Sequence, residues 1–259
     1  MITLQEKKYV KQVFSKNREA YVQSSTHANG DDLSLMIKWL QPGMTMVALD
    51  IATGGGHVAK QLASHVKQVT ATDITEEMLI NTSRHLLQYK NISFETADAE
   101  ALPYLDQTFD IVTCRIAAHH FPNPEKFVAE VSRVLKPNGQ FLFIDNIAAE
   151  EKQLDVFINT LEKIRDYSHV RALKISEWKQ LLERQHFTIG KQQSRKKKLS
   201  YNAWVKRTLD TKTARDKVSD FIFHASKEVS DYYEVKLQDN EIQSFAIDEW
   251  MVLCYKGNG

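Results

Sequence analysis

Apolar and polar positions follow two periods along this chain, and the switches between them mark its elements. Leu4, Val10, Val13, Phe14 and Tyr21 recur at helical spacing and predict a helix over 3–22. After a polar break at 24–30, Leu33, Met36, Ile37 and Leu40 form the face of a second helix. Asp31 or Asp32 is its cap and Pro42-Gly43 its stop. Residues 44–49 are nearly all apolar, the pattern of a parallel strand covered on both faces. Val58, Leu62 and Val66, with Ala59 and Ala63, return to helical spacing. The same alternation repeats, with strands expected at 69–72, 92–96, 109–114 and 140–144. Between them lie one helix facing inward through Met78, Leu79, Leu86 and Leu87 and another through Phe127, Val128, Val131, Val134 and Leu135. Strands alternating with helices predict an α/β fold with a mostly parallel sheet.

Past 147 the pattern softens. Leu154, Phe157, Ile158, Leu161 and Ile164 make one helix face, and Ser176 is placed to cap a shorter helix carrying Trp178, Leu181 and Leu182. A sixth strand starts at 187–189, a helical insertion spans Trp204 to Val229, and a long last strand covers 245–255. The run Arg195-Lys196-Lys197-Lys198 reads as a solvated strand edge that discourages edge pairing. His224 reads as a satisfied core histidine on the apolar side of its helix.

Composition narrows the function classes. The 259 residues are 42% hydrophobic and 26% charged, enough for a core, and the net charge of +1 argues against a dedicated nucleic-acid surface. The N-terminal segment lacks the apolar stretch of a signal peptide, and no apolar run approaches a membrane span, so a cytoplasmic protein is expected. Cys114 and Cys254 sit in apolar strands and read as buried free thiols.

The chemistry concentrates where the first strand ends. Asp50-Ile51-Ala52-Thr53-Gly54-Gly55-Gly56 is an acid followed by a glycine-rich turn into a helix, the place where nucleotide-like ligands bind an open α/β sheet. A glycine-rich turn alone is weak evidence, since a tight turn needs no ligand. Asp73 ends the second strand 19 residues beyond Gly54, a spacing that suits ribose hydroxyls. Asp98-Ala99 ends the third and offers an acceptor to an exocyclic amine. Adenosine therefore fits three consecutive strand ends. A dinucleotide is disfavoured, because no glycine follows Gly56 inside the helix and two acids flank the path of a pyrophosphate.

These residues resemble the class I S-adenosylmethionine-dependent methyltransferases. Asp106-Gln107-Thr108-Phe109-Asp110, then His119-His120-Phe121, then Arg133-Val134-Leu135-Lys136-Pro137-Asn138-Gly139 follow in the family's order, so the resemblance covers about 44–147. The chain looks closest to the ubiquinone/menaquinone-type C-methyltransferases and their bacterial relatives. It departs at Ala52, where glycine is usual, a change that costs little unless the residue needs a positive φ. The resemblance implies a Rossmann-like sheet of seven strands, mostly parallel, with helices on both faces, an antiparallel last strand and a helical lid. One domain is expected over 1–259: N-terminal helices and lid at 1–43, a cofactor core at 44–147, and C-terminal strands with a lid insertion at 148–259.

The implied cofactor is S-adenosylmethionine. Its expected contacts are Asp50, Ala52, Thr53, Gly54, Gly56, Asp73, Ile74, Met78, Asp98, Ala99, Arg115 and Tyr21. His119 and His120 lie where a methyl group would emerge and are candidate bases; shaping the loop is the alternative. His27, His169 and Arg171 are candidate acceptor contacts, and Arg171 or His169 pairing with Asp166 is the alternative. Asp145-Asn146 resembles the acid–amide pair of metal-assisted O-methyltransferases, but Cys114-Arg115 stands where those need a further acid, so metal independence is expected. The expected partner is a small-molecule acceptor, aromatic or quinone-like at carbon or oxygen, with no nucleic acid and no membrane span; the association state stays open, a homodimer included. An NAD(P)-dependent oxidoreductase and a non-catalytic S-adenosylmethionine-binding protein are the rival readings.

Overall fold

The computed structural model describes the backbone of residues 2–22 and 31–257 and the side chains of 4–16 and 31–257. Tyr21 and His27, both expected at the site, lie outside the described side chains. The elements run α1 (Ile2–Val22), α2 (Asp31–Leu40), β1 (Val47–Ile51), α3 (His57–Ala63), β2 (Gln68–Asp73), α4 (Glu76–His85), β3 (Ile92–Thr96) and β4 (Phe109–Arg115). A 3-10 turn (Ala118–His120) leads to α5 (Pro124–Val134), β5 (Leu135–Ile147), α6 (Lys152–Arg165), α7 (Ile175–Arg184) and β6 (Phe187–Ser200). Then come α8 (Tyr201–Lys206), α9 (Lys212–Phe223), α10 (Lys227–Tyr232), β7 (Lys236–Gln238) and β8 (Glu241–Lys256).

Among the described residues one sheet runs β3-β2-β1-β4-β5-β8-β6, and β7 pairs with β8. Strands β1 to β5 are parallel. β8 lies antiparallel between β5 and β6. The expected mostly parallel sheet with an antiparallel last strand is present. Short β7 raises the strand count from the expected seven to eight, because the chain makes a hairpin before it re-enters the sheet. The strand order reverses between β1 and β4, the crevice at which ligands bind such sheets.

Two apolar layers cover the sheet. Phe127, Val128 and Val131 of α5 and Trp178 and Leu182 of α7 pack on one face. Met36 and Leu40 of α2 with Val58 and Leu62 of α3 pack on the other. A separate core joins Leu154, Phe157 and Leu161 of α6 to Trp204 of α8, Val218 and Ile222 of α9, and Phe245 of β8. These helices thus have an interior of their own beside the sheet.

Three expectations shift locally. Leu87 is exposed, because α4 ends at His85 and the turn carries it outward. His224 is exposed too: it caps α9, and its ring Nδ1 meets the Asp220 carbonyl at 2.7 Å. α7 is capped by Lys174 rather than Ser176, whose hydroxyl donates to Glu150.

Candidate active site

The turn after β1 is shaped by left-handed backbone at Ala52 (φ 53°), Gly54 (φ 50°) and Gly56 (φ 75°). A Cβ placed on Gly54 would meet only the Ala52 carbonyl oxygen, at 4.0 Å, so its bareness keeps a cleft open. A Cβ on Gly56 would strike Thr82 at 2.6 Å and Leu86 at 2.7 Å, so that glycine serves the packing of α4. Ala52 does need the positive φ and carries a strain that glycine would not.

The acids at the strand ends are held by their own loops. Asp50 accepts from the Thr53 hydroxyl at 2.6 Å and the Thr113 hydroxyl at 2.8 Å. Burial pushes its pKa up to about 6 against these donors. Asp73 accepts backbone N–H groups from Gly54 at 3.1 Å and Thr75 at 2.9 Å, which fixes the carboxylate across the mouth of the turn. Its pKa too is raised by burial, with those N–H donors opposing. Each carboxylate oxygen has a further lone pair to offer a ligand.

These residues line one cleft at the carboxyl ends of the strands. Asp50, Ala52, Thr53 and Gly54 after β1, Asp73 and Ile74 after β2, and Asp98 and Ala99 after β3 all line it. Arg115 and His120 line it as well. Gly56 and Met78 are not on its surface, and Met78 is fully buried in the core. Helix α1 lies over the cleft. Its Lys7 donates to Asp98 at 2.7 Å and pairs with Glu100 at 2.6 Å, and its Phe14 meets the His120 ring edge-on at 5.1 Å. Arg115 is held by Asp32 at 2.5 Å.

A second cavity lies behind His120. It is lined by His119, His120 and Asn146, by Glu162 and Arg165 of α6, and by Lys197, Trp204 and Arg207. Phe14, His120 and Ile116 border both spaces. Ile116 is β-branched yet has φ 54°, a strained backbone at the junction. His119 Nδ1 lies 2.6 Å from one Asp145 oxygen, and its N–H donates to the other at 3.0 Å. Burial works to lower its pKa, but the Asp145 charge and hydrogen bond outweigh it and the net shift is upward. His120 Nδ1 meets the Ser168 carbonyl at 3.0 Å, an arrangement that places the proton on Nδ1. Burial and the charge of His119 push His120 down to about 4.

The polar cluster after α6 does not reach either space. His169 Nε2 pairs with Asn159 Oδ1 at 3.0 Å, and Arg171 is held by Asp155 at 3.0 Å and Glu177 at 3.3 Å. Both expected acceptor contacts are therefore internal ties, and the partners of both side chains are residues other than Asp166. The basic run lies on the edge strand β6 with Lys196 and Lys198 exposed, but Arg195 and Lys197 turn inward, both onto Glu249 of β8, which is 2% exposed. Lys7, Arg165 and Arg207 went unmarked in the sequence, while Phe14 and Lys197 were read only as a helix-face residue and a strand-edge residue.

A methyltransferase-domain family model matches residues 49–143. The chain is 37% identical over 230 residues, 88% of its length, to the uncharacterised methyltransferase YcgJ of Bacillus subtilis, of which it covers 90%. This chain belongs to the class I S-adenosylmethionine-dependent methyltransferases. A putative methyltransferase from Bacillus halodurans superposes with a TM-score of 0.86 at 38% identity, over 88% of this methyltransferase and all of that chain. The ubiquinone/menaquinone biosynthesis C-methyltransferase UbiE of Rickettsia typhi is 34% identical over only 125 residues, 45% of this chain and 50% of its own. That kinship covers less than half of this chain. The oxidoreductase reading is set aside by the family, and the cofactor of this methyltransferase is S-adenosylmethionine. Among the described residues no helix is long and apolar enough to cross a membrane.

Proposed function

We propose that this methyltransferase transfers a methyl group to a small aromatic or quinone-like acceptor, at carbon or oxygen, by in-line displacement without a metal. The observation that carries the reading is His120, one ring that walls both the strand-end cleft and the polar cavity behind it. Bound S-adenosylmethionine supplies an electrophilic methyl group. Asp73 and Asp98 suit ribose hydroxyls and an adenine amine, while Asp50 and the bare Gly54 leave room for an ammonium-bearing chain. Aligning acceptor and donor across His120 can lower the barrier by about 7–11 kcal/mol.

His119 is the base in this reading. Asp145 holds its Nδ1 side, which leaves Nε2 to take a proton from an acceptor hydroxyl and spreads the resulting charge. His120, neutral at physiological pH, shapes the passage and excludes water. Both oxygens of Asp145 are engaged by His119, so the acid of the acid–amide pair serves proton transfer rather than a cation.

The test is turnover of phenols and hydroquinones with labelled S-adenosylmethionine, with and without chelator. Label in the acceptor, unaffected by chelator, supports the reading. Activity lost to chelator and restored by Mg²⁺ overturns its metal-free part, and transfer only to amines overturns the acceptor class.

A further inference from the structure

We infer that Asn159 of α6 and His169 are positioning residues, which hold the segment after α6 against the 3-10 turn and so set the ring orientation and tautomers of His119 and His120. Their part in the reaction rests on reading His119 as the base.

A three-residue turn entered through the strained Ile116 does little to fix its own side chains. Its own bonds run from the His120 N–H to the Ala117 carbonyl at 3.0 Å and from the Phe121 N–H to the Ala118 carbonyl at 2.9 Å. The other ties come from outside. Asp145 of β5 takes the His119 ring and N–H. From the segment after α6, the Val170 and Arg171 N–H groups both donate to the His119 carbonyl, at 2.9 and 3.0 Å. Two donors use both lone pairs of that oxygen. The Ser168 carbonyl of the same segment accepts from His120 Nδ1 at 3.0 Å.

Residues 166–173 are turn and irregular backbone, so side chains must hold them in place. Asp166 accepts from the Ser168 N–H at 2.9 Å and its hydroxyl at 2.6 Å. Lys163 donates to the Tyr167 and His169 carbonyls at 2.9 and 2.6 Å. Asn159 grips Ala172 from both sides: Oδ1 accepts its N–H at 2.7 Å, and Nδ2 donates to its carbonyl at 3.1 Å. Nδ2 also donates to Asp155 at 2.8 Å, which fixes the amide orientation. Oδ1 is therefore an acceptor for His169, whose Nε2 lies 3.0 Å away and must carry the proton.

Burial, with His119 and His120 nearby, holds the His169 pKa well below the ordinary value, so its ring is neutral. It lies 5.6 Å from the His119 ring, tilted by 33°. A charged ring there would oppose the proton that His119 takes, and a neutral one does not. His169 Nδ1 is buried without a hydrogen-bond partner among the described residues, a cost that a phenyl ring would avoid. What the imidazole adds is its donor to Asn159. The charged groups around His119 are Asp145 of β5, Glu162 and Arg165 of α6, Asp166 after it, and Lys197 and Arg207 along the second cavity. The variants below leave all of them in place.

The experiment follows the histidine ring nitrogens by NMR across pH, in the full chain saturated with S-adenosylhomocysteine. In the wild type, His120 is expected as the Nδ1–H tautomer and His119 titrates above about 6.5. Asn159→Ala should bring His119 down toward that value and mix the His120 tautomers. His169→Phe keeps a ring without a donor and should do the same more weakly. His169→Gln keeps a donor and should retain the wild-type pattern. A purely structural role would lower melting temperatures and leave the signals of the folded protein where they were. Unmoved signals in Asn159→Ala and His169→Phe, or a His169→Gln pattern no different from that of His169→Phe, overturn the inference. If Asn159→Ala does not fold, the two His169 variants decide. A misplaced base should lower kcat by up to about 10²-fold. Moved signals with unchanged methylation of phenols would instead fault the reading of His119 as the base.

Discussion

His119 and Asp145 are joined twice, through the imidazole Nδ1 at 2.6 Å and through the backbone N–H at 3.0 Å. Ring and main chain are both fixed to one buried carboxylate at the end of β5, so the imidazole has a set orientation and a set tautomer.

That pairing predicts a pH profile. The base must be neutral, so kcat/KM should rise with pH through a single ionisation above the ordinary histidine value of about 6.5. His120, near 4, contributes no step in the physiological range. Asp145→Asn should shift the ionisation downward and reduce turnover by about 10²–10⁴-fold, the usual scale of acid–base help. The sign for stability is opposite. A histidine raised in the folded state stabilises fully below its unfolded value and loses that contribution as pH rises through its folded value. Urea unfolding should show this decline above pH ~6.5 in the wild type, and a smaller decline in Asp145→Asn. A rate independent of pH from about 5 to 9 would remove His119 as the base.

Asp73→Ala should weaken S-adenosylmethionine binding by about 1.5–3 kcal/mol, the range for hydrogen bonds to a charged group. It should also lower the melting temperature of the free protein, because two loop N–H groups lose their acceptor. Calorimetry on protein shown to be folded separates the two effects, and unchanged affinity removes Asp73 from the ribose site.

Ala52 at φ 53° carries a left-handed penalty of about 1–2 kcal/mol. Ala52→Gly should recover it less about 0.4–1 kcal/mol of unfolded-chain entropy. A melting temperature higher by about 1–4 °C is expected. A fall would show that the methyl of Ala52 packs more than it strains.

Gly56→Ala should behave differently from a cofactor-site change. The new Cβ meets Thr82 and Leu86 at 2.6–2.7 Å, overpacking that typically costs about 1–3 kcal/mol, with the left-handed penalty added. A second change, Leu86→Ala, opens the space and should restore part of the melting temperature. Gly56→Ala without loss of stability would contradict the tight approach of α4.

The cofactor half was legible because its signals are local. An apolar run, an acid and a glycine turn fall within a few residues, and the period change marks each strand end. Asp50, Asp73 and Asp98 could be placed without knowing what packs across from them. His169 and Arg171 could not. Their partners Asn159, Asp155 and Glu177 sit on flanking helices, and sequence adjacency suggested Asp166 instead. Lys197 shows the same barrier. Its inward side is set by Glu249, 52 residues later on a neighbouring strand, and no pattern within β6 names that partner. Gly56 looked like Gly54 in sequence and differs only in what lies beyond its absent side chain.

The sheet order β5-β8-β6 has a consequence for how the protein is made. β5 and β6 both await a strand synthesised after the whole lid, and β8 pairs with each along its length. A ribosome adding about 5–20 residues per second therefore leaves the apolar edge of β5 without its neighbour for seconds. The nascent chain is most exposed to aggregation in that interval, when its cofactor half has already been translated but its sheet still has an open seam.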